Sequence, residues 1–162
     1  MQQIEPIQYK EGDLLIAASE GEVDAIAHCC NCWNTMGSGI APKIKKKWPD
    51  VYAADCATIK GDRHKLGGYS KAVVEDGFLT VYNLYGQYGY SKRDQGIRDL
   101  NYNAIYDALD VMGEDLVANG ARRVGLPLIG CGLAGGKWSV VEAMIKETLM
   151  LRGLEVIVYQ LK

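Results

Sequence analysis

Apolar positions along the chain change period repeatedly, and the changes divide it into short elements. Ile7 and Tyr9 alternate with polar neighbours until Glu11-Gly12-Asp13 breaks the run, which predicts a short edge strand delivering Asp13 to a turn. Residues 23–30 carry Ala25-Ile26-Ala27 into His28-Cys29-Cys30 with few charges, the pattern of a strand covered on both faces. A loop with Gly37-Ser38-Gly39 follows. Ile40, Ile44 and Trp48 then fall at helical spacing, with Pro42 suited to a first turn and Pro49 to a stop, predicting a helix over 40–48. A second helix is predicted over 52–60. Gly67-Gly68 introduces a strand at 70–75, and Asp76-Gly77 is a hairpin signal joining it to a strand at 78–84.

Residues 85–97 are rich in Gly, Tyr and Gln without a period, which predicts a loop long enough to act as a lid. Ile105, Leu109, Met112 and Leu116 recur every three or four residues, giving an amphipathic helix over 100–119 that Gly120 closes. A strand at 124–128, a helix at 138–151 ended by Gly153, and a strand at 155–160 complete the chain. Strands alternating with helices imply one α/β domain spanning 1–162, built as three layers, α/β/α, around a central mixed sheet. The hairpin adds an antiparallel pair to a largely parallel set.

Composition narrows the functions. At 162 residues, 48% apolar and 23% charged, the chain is long enough for one buried core and lacks the bias of a disordered one. A net charge of -2 supplies no global attraction to nucleic acid or to an anionic membrane, so an anionic ligand must be held locally. The start has no basic segment followed by an apolar one, and no apolar run nears the roughly 20 residues that cross a bilayer, so a cytoplasmic chain is expected. The five cysteines are an odd number, with Cys29, Cys30 and Cys32 too crowded to pair with one another. Cys56, His64 and Cys131 do not complete a zinc-finger spacing, so neither a metal nor a cofactor is expected. Lys43, Lys45, Lys46 and Lys47 read as the solvated face of a helix.

Two loops carry the candidate chemistry. Leu126-Pro127-Leu128-Ile129-Gly130-Cys131-Gly132-Leu133-Ala134-Gly135-Gly136-Lys137-Trp138 turns from a strand into a helix, either as a phosphate cradle or as a tight turn without a ligand. Gly130, Gly132 and Gly135 fit G-x-G-x-x-G. A dinucleotide fold carries that turn after its first strand, whereas one helix and one strand follow it here, so the match is coincidental. The other loop, His28-Cys29-Cys30-Asn31-Cys32-Trp33-Asn34-Thr35-Met36-Gly37-Ser38-Gly39-Ile40, also leaves a buried strand for a helix. In open sheets ligands bind beyond the carboxyl ends of the strands, so the two loops suit two ends of one ligand. Read alone, His28 is a proton donor, a phosphate-orienting group or a packed imidazole, and Asp13 is a turn or cap residue.

Together these loops resemble those of macrodomains, in which ADP-ribose lies between a first, catalytic loop and a second, diphosphate loop. The similarity runs from Tyr9-Lys10-Glu11-Gly12-Asp13-Leu14 to Val158-Tyr159-Gln160-Leu161, and His28 followed by Cys-x-Cys-like residues resembles the branch that contains ADP-ribose 1''-phosphate phosphatases and terminal ADP-ribose protein glycohydrolases. The resemblance implies that Asp13, with Leu14 and Leu161, receives adenine, and that His28 and Asn31 are catalytic, with Asn31 also fixing the distal ribose. It implies that Gly37, Ser38, Gly39 and Ile40 face the ligand together with Leu128, Ile129, Gly130, Cys131, Gly132, Leu133, Ala134, Gly135 and Gly136, amides of Gly37 to Ile40 and of Gly132 to Gly136 holding phosphate oxygens. It also exposes departures. Ala41 stands where one group of hydrolases has aspartate, and Gly86 and Ala134 stand where the glycohydrolase has a lysine nucleophile and an aspartate, which argues against Schiff-base chemistry. Hydrolysis of ADP-ribose 1''-phosphate is therefore expected, with ADP-ribosyl ester hydrolysis, deacylation and non-catalytic reading left open. The partner is a small ADP-ribose derivative or an ADP-ribosylated protein, and the second acid or base is not located.

Overall fold

A computed structural model describes residues 6–92 and 95–161. Its elements are β1 (Gln8–Glu11), α1 (Leu14–Ser19), β2 (Ala25–Cys30), α2 (Ala41–Lys47), α3 (Pro49–Cys56), β3 (Tyr69–Val74), β4 (Leu79–Tyr85), α4 (Tyr102–Ala118), β5 (Arg123–Leu126), α5 (Trp138–Thr148) and β6 (Glu155–Gln160). The strands form one sheet in the order β1-β6-β5-β2-β4-β3. Every neighbouring pair is parallel except β3 with β4, because helices return the chain everywhere but at the hairpin.

β2 shows why the sheet needs cover on both sides. Its alternate side chains Ala25 and Ala27 join the cluster under α4 and α5, while Ile26 and Cys30 join the one under α1, α2 and α3. The small Ala25 and Ala27 leave room for Ile105, Leu109 and Met112, the buried stripe of α4. Burial of both faces is the hydrophobic driving force for this layered arrangement.

Several elements differ from the sequence reading. α1 was not anticipated; Asp13 caps it, accepting from the Leu15 amide at 2.8 Å and the Ile16 amide at 3.3 Å, and so satisfies amides that a six-residue helix leaves open. Pro49 does not merely stop a helix but begins α3, where its fixed φ and missing N–H suit the first turn. Between β3 and β4, Val74 pairs with Leu79, so the turn has four residues rather than the two of an Asp-Gly hairpin; Glu75, Asp76 and Gly77 all take positive φ. β5 ends at Leu126, since Pro127 cannot donate to the ladder. α5 ends at Thr148, and a tight turn at Met150–Arg152 leads to Gly153 at φ 87°. Among the described residues no helix is long and apolar enough to cross a membrane.

The predicted lid leaves β4 and returns at Asn101, which caps α4; its Arg93 and Asp94 lie outside the described residues. Its base is fixed. Gln87 bridges Leu100, and the Asn101 amide donates to Gly86 at 2.8 Å. Leu100, 2% exposed, is the wedge beneath the second glycine loop: a Cβ at Gly130 would meet its Cδ1 at 2.9 Å. Its own amide donates to Ala134 at 3.0 Å. Leu100→Ala should cost about 2–5 kcal/mol through the cavity left under that loop. Urea denaturation checks this, and a loss below about 1 kcal/mol would mean the loop does not rest on Leu100.

Candidate functional site

Because β2, β4 and β5 run parallel, the segments after them emerge at one end of the sheet. Two cavities open there. One, of about 380 Å³, is bounded by Asp13, Leu14, Ile40, Lys43, Tyr159 and Leu161. The other, of about 390 Å³, is bounded by His28, Ser38, Gln87, Gly130, Leu133 and Ala134, among others. Both include Gly39, Ile40, Pro127 and Leu128, so they are two halves of one groove. A third space of about 50 Å³, bounded by Asn31, Gly37 and Asp55, shares Ser38 and Gln87 with the second cavity and, among the described residues, none with the first.

The second loop is shaped to leave amides unused. Gly130 at φ 73° and Gly135 at φ 79° supply the left-handed turns that a side chain would strain. The Gly136 amide donates to the Gly130 carbonyl at 2.8 Å and closes the loop; a Cβ at Gly136 would come within 2.6 Å of that oxygen. The Gly135 amide donates to Gly132 at 3.1 Å. Those two amides are therefore spent, which corrects the expectation that the cradle spans Gly132 to Gly136. Among the described residues the amides of Gly130, Gly132, Leu133 and Ala134 donate to no protein acceptor, which leaves them free for an anion. Cys131 turns its amide to Leu128, and neither it nor Gly135 or Gly136 lines the groove. Gly132 has no positive φ, and a Cβ there meets nothing within 4 Å.

The first loop is held from behind. Asn34 and Met36 sit at φ 57° and 42°, conformations that cost non-glycine residues energy. Asn34 is clamped there: its Oδ1 accepts from Lys65 Nζ at 2.6 Å and Thr58 Oγ1 at 3.3 Å, its Nδ2 donates to the Thr58 carbonyl at 3.1 Å, and its carbonyl accepts from Tyr52 at 3.2 Å. Among the described residues the amides of Gly37, Ser38, Gly39 and Ile40 have no protein acceptor; Gly39 and Ile40 bound both cavities, Ser38 the second, and Gly37 the third space. Asn31 is partly committed to the loop itself, accepting from the Trp33 amide at 2.8 Å and donating to Thr35 at 2.7 Å. One Nδ2 hydrogen is left over.

His28 is 1% exposed and pairs across the sheet with Asn83. Asn83 Nδ2 donates to the Val51 carbonyl and to Ser70, each at 3.0 Å, so Asn83 Oδ1 must be the group that accepts from His28 Nε2–H at 2.6 Å. Burial lowers the imidazole from its ordinary 6.5 to about 4, the Asn83 bond opposing. At neutral pH His28 is uncharged with its proton turned into the sheet, which gives no support to the expected proton-handling role. The thiols are equally quiet: burial pushes Cys29 up to about 12 and Cys131 up to about 11. Among the described residues no cluster of three or more His, Cys, Asp or Glu side chains is placed to hold a metal ion.

Ten of the expected residues line the second cavity (His28, Ser38, Gly39, Ile40, Leu128, Ile129, Gly130, Gly132, Leu133 and Ala134), and six line the first. Sequence reasoning missed Lys43 and Tyr159 beside the first cavity and Gln87, Tyr90 and Asp99 beside the second. Tyr90 and Gln87 carried a signal, the aperiodic Tyr-Gln-Gly loop, but not a direction. At Gly86, a Cβ would meet Ile105 Cδ1 at 2.8 Å and Cys29 Sγ at 2.9 Å, so this position has no room for a lysine side chain.

The mixed six-stranded sheet with helices on both faces and a two-ended groove, rich in free amides, at its carboxyl edge defines an α/β protein built to hold an elongated anionic ligand. The model of the Macro domain family matches residues 27–145, and the chain belongs to that family. It is 28% identical to the human ADP-ribose glycohydrolase OARD1 over 155 residues, covering 96% of this chain and 91% of that one. It is also 28% identical to the ADP-ribose 1''-phosphate phosphatase of Scheffersomyces stipitis, over 87% of this chain and 94% of that one. The solved structure of a macrodomain protein from Streptomyces coelicolor superposes with a TM-score of 0.74 at 34% identity, covering 95% and 98% of the two chains.

His28 yields a stability prediction. Its folded-state value of about 4 lies below the ordinary 6.5, so the unfolded chain takes up the proton first, and stability is lost as pH falls from 6.5 towards 4. The loss should approach about 3 kcal/mol. In His28→Gln, urea titrations at stepped pH should show a slope flatter by that contribution; an unchanged slope would show His28 to be solvated.

Proposed function

We propose that the protein binds ADP-ribose derivatives along this groove and hydrolyses ADP-ribose 1''-phosphate to ADP-ribose and phosphate. The carrying observation is the continuity of the two cavities through Gly39, Ile40, Pro127 and Leu128, with an acidic cap residue at one end and eight uncommitted amides towards the other. Adenine suits the first cavity, between Leu14, Ile40 and Leu161. Asp13 spends Oδ1 on α1, and among the described residues nothing donates to Oδ2, which is left to accept from the adenine amine. The diphosphate then lies over the shared floor, where amides of Gly39, Ile40, Gly130 and Gly132 aim fixed dipoles at its oxygens. The distal ribose and its 1''-phosphate reach Leu133, Ser38 and Gln87, with the spare Nδ2 hydrogen of Asn31 nearby. His28 acts here as a neutral, shape-giving floor.

The phosphatase reading is preferred to lysine-based glycohydrolysis for a steric reason. The packing of Gly86 against Ile105 and Cys29 removes the nucleophile's place, whereas phosphate release to water needs positioning and charge stabilisation rather than a covalent lysine.

Two substitutions test binding. Gly132→Glu enters open space at ordinary φ, so the fold should melt as the parent does while a carboxylate occupies the diphosphate position. Affinity for ADP-ribose should fall at least about tenfold, a loss of 1.4 kcal/mol or more; calorimetry giving the parental affinity would remove the diphosphate from this loop. Asp13→Asn retains a good helix cap but turns an amide donor towards the adenine amine. It should weaken ADP-ribose and leave ribose 5-phosphate unaffected, and equal losses would make Asp13 a cap alone. Phosphate release from ADP-ribose 1''-phosphate, set beside release of ADP-ribose from an ADP-ribosyl ester, decides the chemistry: binding without either product would leave a reader.

A further inference from the structure

Asp99, which bounds the second cavity, accepts from the Lys92 amide at 3.2 Å, and a second, more deeply buried carboxyl lies beyond it. Asp55, on α3, is 1% exposed. Its Oδ1 accepts from the Tyr85 hydroxyl at 2.7 Å, but Oδ2 is buried without a hydrogen-bond partner. The nearest ammonium does not relieve it, because Lys65 is engaged with the Cys32 carbonyl at 3.1 Å and Asn34 at 2.6 Å. A buried carboxyl with a bare oxygen is costly, and such groups in native proteins ordinarily meet an ordered water.

The position of Asp55 says what that water could do. The residue bounds the 50 Å³ space, large enough for a water and bordered by the polar groups of Asn31, Ser38 and Gln87. This space adjoins the second cavity and shares no lining residue with the first, so along the groove the order is the Asp13 end, the free amides, then Asp55. With the adenine at Asp13, the reacting end of the ligand is the end nearest Asp55.

We propose that Asp55 is the general base of the hydrolysis, receiving a proton from a water held in this space as that water attacks the ligand's terminal phosphorus. This rests on the phosphatase reading above. The water oxygen forms a bond to phosphorus, one of its O–H bonds gives the proton to Oδ2, and the bond from phosphorus to the 1'' oxygen breaks. The electron pair stays on that oxygen, which takes a proton from solvent; Asp55 later releases its own to solvent. One water is consumed, and ADP-ribose and phosphate are formed.

The surroundings of Asp55 strengthen it as a base. Burial raises the carboxyl above its ordinary value, opposed by the Tyr85 bond and the Lys65 charge. Cys30 and Cys32, also close, are thiols that burial keeps protonated, and the Tyr52 hydroxyl on the same helix is raised by its bond with Cys56. A carboxyl raised above its ordinary value accepts a proton more readily than a solvated one.

The experiment compares the parent, Asp55→Asn and Tyr85→Phe for phosphate release from ADP-ribose 1''-phosphate across pH 5 to 9, with ADP-ribose affinity and melting measured on each. Asp55→Asn should lower kcat at least about 100-fold, keep ADP-ribose affinity within about twofold, melt no lower than the parent, and lose the acid limb of the rate profile. Tyr85→Phe, which removes a bond favouring the ionised carboxyl, should move that limb to higher pH. Parental kcat and an unchanged acid limb in folded Asp55→Asn would overturn the base and leave the phosphatase reading standing. A loss of turnover that comes with equal losses of affinity and melting temperature would also overturn it, in favour of a structural Asp55. A parent that binds ADP-ribose but releases no phosphate would overturn the phosphatase reading itself, and the base with it.

Discussion

Everything at the open end of the molecule depends on β2 being paired on both edges and covered on both faces. It is flanked in parallel by β4 along its whole length and by β5 at Ala25 and Ile26, and its small apolar side chains admit helices on either side. A strand so enclosed can release the chain only at its end. Since β4 and β5 share its direction, the first loop, the lid segment and the glycine loop leave the sheet together. The two-ended groove is thus a consequence of strand direction, and the residues in it refine a place the topology has already created.

The sheet also determines the electrostatics of that place. Groups facing inward at the top of β2 lose their solvent, and each resolves the loss differently. His28 gives up its charge and is anchored by Asn83; the thiols of Cys29 and Cys30 remain protonated. Asp55 cannot be satisfied so simply, and only half of its carboxyl is covered by Tyr85. A dry floor with aligned amides above it holds an anion more strongly than a wet one would, because fixed dipoles act there at low effective dielectric.

Much of this was legible in the sequence where a local signal had one physical meaning. The alternation at Ile7 and Tyr9 specified an edge strand but not its burial, since all of β1 is exposed, whereas the stripe of Ile105 to Leu116 and the run Ala25 to Cys30 each specified an element and its burial. The glycine loop was legible as a cradle, but which of its amides are free was not, since the Gly136 to Gly130 bond is a matter of closure in three dimensions. α1 was missed because six residues give too little periodicity, although Asp13 ahead of Leu14-Leu15 is a cap signal. Pro49 has two readings, stop or start, and only the packing of α3 against the sheet decides between them. Asp55 left no trace: in a helix it looks like any surface carboxylate, and its burial depends on Tyr85 arriving from β4.

The clamp on Asn34 has a consequence for how ligand arrives. Lys65, Thr58 and Tyr52 hold the first loop in its strained shape through bonds within the protein, so folding itself meets the cost of ordering it. Association then requires no slow rearrangement of that wall, and the encounter rate is governed by diffusion and by the opening between the walls. Affinity gained from such pre-ordering appears as slow departure of whatever the groove holds.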